Sequence, residues 1–129
     1  MLSVIRAFKV GDLNPLFAAL SDDVVWKSTA PKEFFRFGGL HLGRMGVKAY
    51  TALLFTRYSF IRFDPKLVVA KGNVVWGQFE AQAVHRLTDR LVNTDISIHW
   101  VVKDGLIVEH QGFFDTASVL MQQGDLLVA

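Results

Sequence analysis

Four histidines, at 41, 85, 99 and 110, are the side chains of this sequence best suited to move a proton at neutral pH. An unperturbed imidazole titrates at about 6.5. His99 comes first. It sits late in an alternating run, and Asp95 or Asp115 could orient its ring. Such a pair suits general acid–base work. The competing assignment is a histidine on the solvent or interface side of a strand. His110 offers the same chemistry, or a hydrogen-bonding group on a cavity wall. His85, beside Arg86 at the end of a run, reads as surface. Asp115 precedes Thr116-Ala117-Ser118, where a carboxylate caps a helix. Capping is its first reading, and a base role does not conflict with it.

Other chemistries are poorly served. The chain has no cysteine, which removes thiolate nucleophiles, disulfides and Cys-ligated zinc. The histidines lack the close spacings of common metal sites. The GGLHLG segment lacks the Lys-Ser/Thr ending of a phosphate loop. No metal and no cofactor are therefore expected. The net charge of +2 comes from scattered residues, so no nucleic-acid partner is expected. No 18-residue apolar run and no signal pattern are present. The expectation is a soluble cytoplasmic protein without a membrane partner.

The elements that must position these side chains follow from periodicity and turns. Leu2 to Val10 reads as a short helix, and Gly11-Asp12 opens a second one carrying Phe17 and Leu20. Val24-Val25-Trp26 starts a strand after Ser21-Asp22-Asp23. Residues 28–42 read as an irregular loop whose Phe34, Phe35 and Phe37 must fold over something. Gly43 to Thr56 is a helix with Val47, Tyr50 and Leu54 on its apolar face. Four strands follow, Tyr58–Ala70, Val74–Arg86, Val92–Val102 and Leu106–Phe114. The Asp104-Gly105 pair signals a hairpin, and Pro65 a bulge or an edge. A last helix runs through Gln122. One domain spans 1–129, at a length suited to a single core. The class is α+β, and long antiparallel strands curl.

Three segments in this order carry a resemblance. GDLNPLFAALSDDVVWKSTAP, GRMGVKAYTALL and WVVKDGLIVEHQGFFDTASVLMQQG resemble the entrance, the pocket-closing helix and the last hairpin of SnoaL-like and ketosteroid-isomerase-like proteins. These belong to the nuclear transport factor two-like superfamily. The resemblance implies a cystatin-like roll, a long curved antiparallel sheet with helices on its concave face around a cone-shaped pocket. Ketosteroid isomerases use an Asp base with a Tyr and a protonated Asp as donors. Those positions fall on Ser28, Val4 and Ser97 here, so that mechanism is disfavoured. The epoxide hydrolase Arg and Asp fall near Gln111 and Gly112. Polyketide cyclases that resemble this chain use a late-strand His and Asp.

The family register points Asp95, Ser97, His99 and Val101 inward on the third long strand. Ordinary alternation would instead turn Ile96, Ile98 and Trp100 inward. The resemblance favours the first. Inward residues on the last strand are then Val108, His110, Gly112 and Phe114. Trp26, Ser28, Tyr50 and Glu80 join them, with Gln82 at the same parity as Glu80. The implied function is a pocket that binds, and isomerises or cyclises, a compact hydrophobic carbonyl compound, polyketide- or steroid-like, by metal-free acid–base chemistry. His99 is the acid–base residue, Asp115 or Asp95 its partner, and Ser28, Ser97, Tyr50 and His110 hold polar atoms of the ligand. The alternative is a non-catalytic ligand-binding or dimeric interaction module. An apolar outer sheet face also implies a homodimer through that face.

Overall fold

The computed structural model describes Val4, Ala7, Phe8 and residues 11–125. Val4, Ala7 and Phe8 are helical; the rest of the helix expected over Leu2–Val10 lies outside the described residues. In chain order the elements are α1 (Asn14–Ala19), β1 (Leu20–Ser28), β2 (Gly39–Leu42), α2 (Gly43–Arg57), β3 (Tyr58–Lys71), β4 (Val74–His85), β5 (Arg90–Lys103), β6 (Leu106–Phe114) and α3 (Thr116–Gln123). None of these helices is long and apolar enough to cross a membrane.

Turn chemistry sets the topology. Asp104 and Gly105 both have positive φ, 51° and 76°. A two-residue hairpin needs this for its twist to match the strands. Gly72 and Asp89 serve the other two hairpins, with φ of 58° and 60°. The result is an antiparallel meander from β3 to β6. The sheet has six strands in the order β2-β1-β6-β5-β4-β3. It is mixed rather than wholly antiparallel, because β1 runs parallel to β6. Two sequence expectations need correction. Residues 39–42 form strand β2, paired with β1, instead of continuing the loop. Residues 21–23 belong to β1 and not to the helix end.

Irregularities aim the side chains. The β3 register shifts between Pro65 and Leu67, where proline cannot donate to the ladder. A second shift between Val101 and Val102 marks a bulge opposite Val108. It lets Ile107 and His110, three residues apart, both lie buried.

One core cluster gathers Leu16, Leu20, Val24, Trp26, Val47, Phe79, Ile98 and Trp100. A second joins Phe35, Phe37, Leu54, Tyr58, Val92 and Leu120. The helices cover one sheet face and the buried aromatics fill the space between. Arg44 at the start of α2 donates from Nε and an Nη to the Leu20 carbonyl, at 3.2 and 3.0 Å. This ties the helix to the strand that carries Trp26. Asp115 caps α3, its carboxylate accepting from the Ser118 N–H at 3.0 Å.

Candidate ligand pocket

A cavity of about 130 Å³ lies between the concave sheet face and the helices. Its wall is almost wholly apolar. Phe60, Phe63, Ile96, Ile98, Trp100 and Phe114 contribute most of the body, with Leu54 from α2. Lys27, Tyr58 and Thr94 are among its polar lining residues, and four further side chains that carry polar atoms reach it. Trp26 and Ser28 reach it from β1, His110 from β6 and Tyr50 from α2.

Local geometry explains the arrangement. Trp26 and His110 are register partners across the parallel pair β1/β6. Their rings stack at a centroid distance of 3.5 Å, 4° from coplanar. The Tyr50 ring leans on Trp26 at 5.4 Å. Phe37 meets Tyr50 edge-on at 5.9 Å. The loop carrying Phe37 is held because His41 Nε2 donates to the Phe37 carbonyl at 2.8 Å. Gly112 leaves space beside His110, since a Cβ there would lie 3.6 Å from His110 Nε2.

Burial sets the protonation states. Burial in the apolar wall pushes His110 down to about 3, helped by the charge of His99. The imidazole is therefore neutral near pH 7. Burial pushes the Tyr50 hydroxyl up to about 12, partly offset by the Trp26 indole N–H. That N–H lies near the Tyr50 hydroxyl but meets no acceptor at hydrogen-bond geometry. His110 Nδ1 is likewise buried without a partner. Unpartnered buried polar atoms cost about 1–3 kcal/mol each.

The sheet brings some predicted residues together and separates others. Trp26, Ser28, Tyr50, His110 and Phe114 line the cavity. The β5 parity is the reverse of the expected one: Thr94, Ile96, Ile98 and Trp100 line the cavity, while Asp95, Ser97, His99 and Val101 stand on the alternate face. The ordinary rule prevails because the cavity is apolar, so the apolar set is the one it takes. His99 packs on Trp76 at 4.8 Å, and Asp95 accepts from Lys66 at 3.2 Å. Glu80 also stands outside, paired to Arg62 at 3.0 Å, and Gln82 donates to Asn93 at 2.9 Å. Asp115 is exposed, its carboxylate used in the helix cap. Val108 gives its inward place to Ile107 through the bulge.

Sequence reasoning missed Trp100, Ile98 and Tyr58. The first two carried a usable signal in the Ile-x-Ile-x-Trp alternation. Tyr58 looked like the mere start of a strand. Of the three positions compared with the isomerase donors and base, Val4 and Ser28 line the cavity and Ser97 does not. No carboxylate is among the described lining residues.

The SnoaL-like domain family matches residues 2–110. The chain belongs to that family. No curated protein matches the sequence. Its fold is similar to that of an NTF2-like protein of unknown function from Burkholderia pseudomallei, at 23% identity and a TM-score of 0.84, covering 92% of this chain and 89% of that one. It is also similar to TerC co-crystallised with polyporic acid, at 21% identity and a TM-score of 0.85, covering 95% and 94%. A third is a candidate polyketide cyclase from Xanthomonas campestris, at 18% identity and a TM-score of 0.81, covering 95% and 92%. At these identities the likeness establishes the fold alone. This SnoaL-like family member thus has an NTF2-like fold.

Proposed function

We propose that this SnoaL-like protein binds a compact apolar molecule, about one ring in size, through a single carbonyl or hydroxyl group. The observation that carries this reading is the cluster of Tyr50, Trp26 and neutral His110, ring against ring, in a mostly apolar lining. An apolar cavity of about 150 Å³ holds benzene in another protein. The cavity here is of that order, at about 130 Å³.

Binding is favoured over proton abstraction. Among the described residues, no carboxylate lines the cavity. His110 is a weak base when burial holds its pKa near 3. The donors suit a ligand carbonyl oxygen, which accepts from Tyr50 and Trp26 while the ring stacks on aromatic walls. Titration by tryptophan fluorescence tests this. Acetophenone should bind several-fold tighter than ethylbenzene, which has the same outline without the oxygen. Equal affinities would remove the polar anchor from the account.

We also propose a homodimer through the outer sheet face. Trp76 and Phe113 stack there at 6.4 Å and stay 44% and 36% exposed. Leu67 and Val69 on the neighbouring strand extend the patch. A contiguous apolar face of this kind favours a partner over water.

A further inference from the structure

A second cleft, of about 360 Å³, lies on the far side of Tyr58 and Phe37, whose side chains line both cavities. It differs in chemistry from the first. Lys32 and Arg36 reach it from the turn at 31–38, and Arg57 from the last turn of α2. Among the described residues, none of these three cations enters an ion pair. The other described arginine-based pairs of the molecule, at Arg44 and Arg62, are satisfied by carboxylates.

Charge and shape narrow the occupant. Glu33 and Asp125 also line the cleft. Among the described lining residues, three cations against two carboxylates leave one net positive charge. Asp125 is already engaged, accepting from Gln123 Nε2, while Gln123 Oε1 accepts from the Tyr58 hydroxyl. His85 adds no charge at neutral pH, because burial lowers its pKa and its Nδ1 contacts Thr88 Oγ1 at 2.8 Å. Phe34 and Leu87 stand at the cleft 61% and 69% exposed, which leaves apolar surface beside the cations.

We infer that this cleft binds a small monocarboxylate with an apolar body, its carboxylate on Arg57 with Arg36 and Lys32 and its hydrocarbon on Phe34 and Leu87. A guanidinium presents two parallel donors to a carboxylate, which gives geometry as well as charge. Arg57 is half-buried, so its charge is screened less than those of its two exposed companions. The site is separate from the apolar cavity and does not rest on the ligand proposed for it.

Titrating the isotope-labelled protein with hexanoate and with 1-hexanol, followed by NMR at low salt, tests the site. Hexanoate should shift the Leu87, Gln123 and Arg57 side-chain signals, and 1-hexanol should not. R57Q should weaken hexanoate binding about fivefold or more, as expected for loss of a charged hydrogen bond at a partly exposed site. Equal shifts from the alcohol, shifts confined to Trp26 and His110, or unchanged affinity in R57Q would each overturn the inference. Should R57Q unfold, K32Q/R36Q on the exposed turn replaces it. A loss of about threefold would then support the site, and no loss would overturn it.

Discussion

The imidazole of His110 lies flat under the indole of Trp26, with centroids 3.5 Å apart and planes 4° from parallel. The stack exists because β6 runs parallel to β1 and places the two residues side by side. It also seals Nδ1 of His110 from water without giving it an acceptor.

A pH dependence follows. The folded pKa of His110 is near 3, against 6.5 when unperturbed, chiefly because burial penalises the charged form. As pH falls below 6.5 the unfolded chain takes up this proton and the native one does not. Stability contributed by the neutral ring is present above that value and is lost as pH falls towards 3. The slope for one group is about 1.4 kcal/mol per pH unit. His85, also lowered by burial, acts in the same direction. Urea midpoints at pH 7.5 and 4.5 should differ strongly in the parent and less in H110Q. An unchanged difference in the variant would reassign the effect to other groups.

How much of this was legible in the sequence differs from element to element. The hairpins were, because Asp104-Gly105 has few other uses than a turn with positive φ. Pro65 announced its bulge by lacking an N–H. Strand β2 was not, since Gly39–Leu42 is a four-residue edge strand with two exposed leucines and no alternating core. The β5 parity was written plainly as Ile96, Ile98 and Trp100. It was misread because the resemblance supplied a polar pocket where this chain has an apolar one. His110 keeps the inward parity of Gly112 and Phe114, while the bulge at Val108, which the hairpin sequence does not reveal, turns Ile107 inward as well.

Tyr50→Phe should separate binding from folding. Among the described residues the hydroxyl touches only the Trp26 N–H, whereas the ring packs on Trp26 and Phe37. A neutral hydrogen bond contributes about 0.5–1.5 kcal/mol. Affinity for acetophenone should therefore fall by roughly two- to tenfold. Ethylbenzene should bind as before, and the urea midpoint should move little. Equal losses for both ligands would point to packing instead.

Two glycines should respond oppositely to alanine. A Cβ at Gly77 would lie 2.6 Å from Phe79 Cζ and 3.2 Å from Trp100 Cζ3. Phe79 is fully buried and cannot swing away. G77A should cost about 1–3 kcal/mol by overpacking. At Gly112 the nearest atoms would be His110 Nε2 at 3.6 Å and Ile98 Cγ1 at 3.9 Å, ordinary contacts. G112A should change stability by less than about 0.5 kcal/mol. Its methyl group enters the ligand cavity, so acetophenone affinity should drop. Thermal melts and the fluorescence titration together check the pair.

The outer face gives a prediction that distinguishes His99 from His110. His99 Nδ1 is buried without a partner while its ring packs on Trp76, which is 44% exposed. Trp76, Phe113 and His99 therefore form one patch on the face away from the cavity. Burying an aromatic side chain of this size is worth about 1.5–3 kcal/mol, and a symmetric contact uses each residue twice. Trp76→Glu should convert a dimer into a monomer in sedimentation velocity at micromolar concentration. H99A should weaken the dimer as well and leave acetophenone affinity unchanged, because the ring stands outside the cavity wall. A parent that sediments as a monomer would remove the dimer. An H99A variant that loses ligand affinity without changing mass would bring His99 back to the pocket.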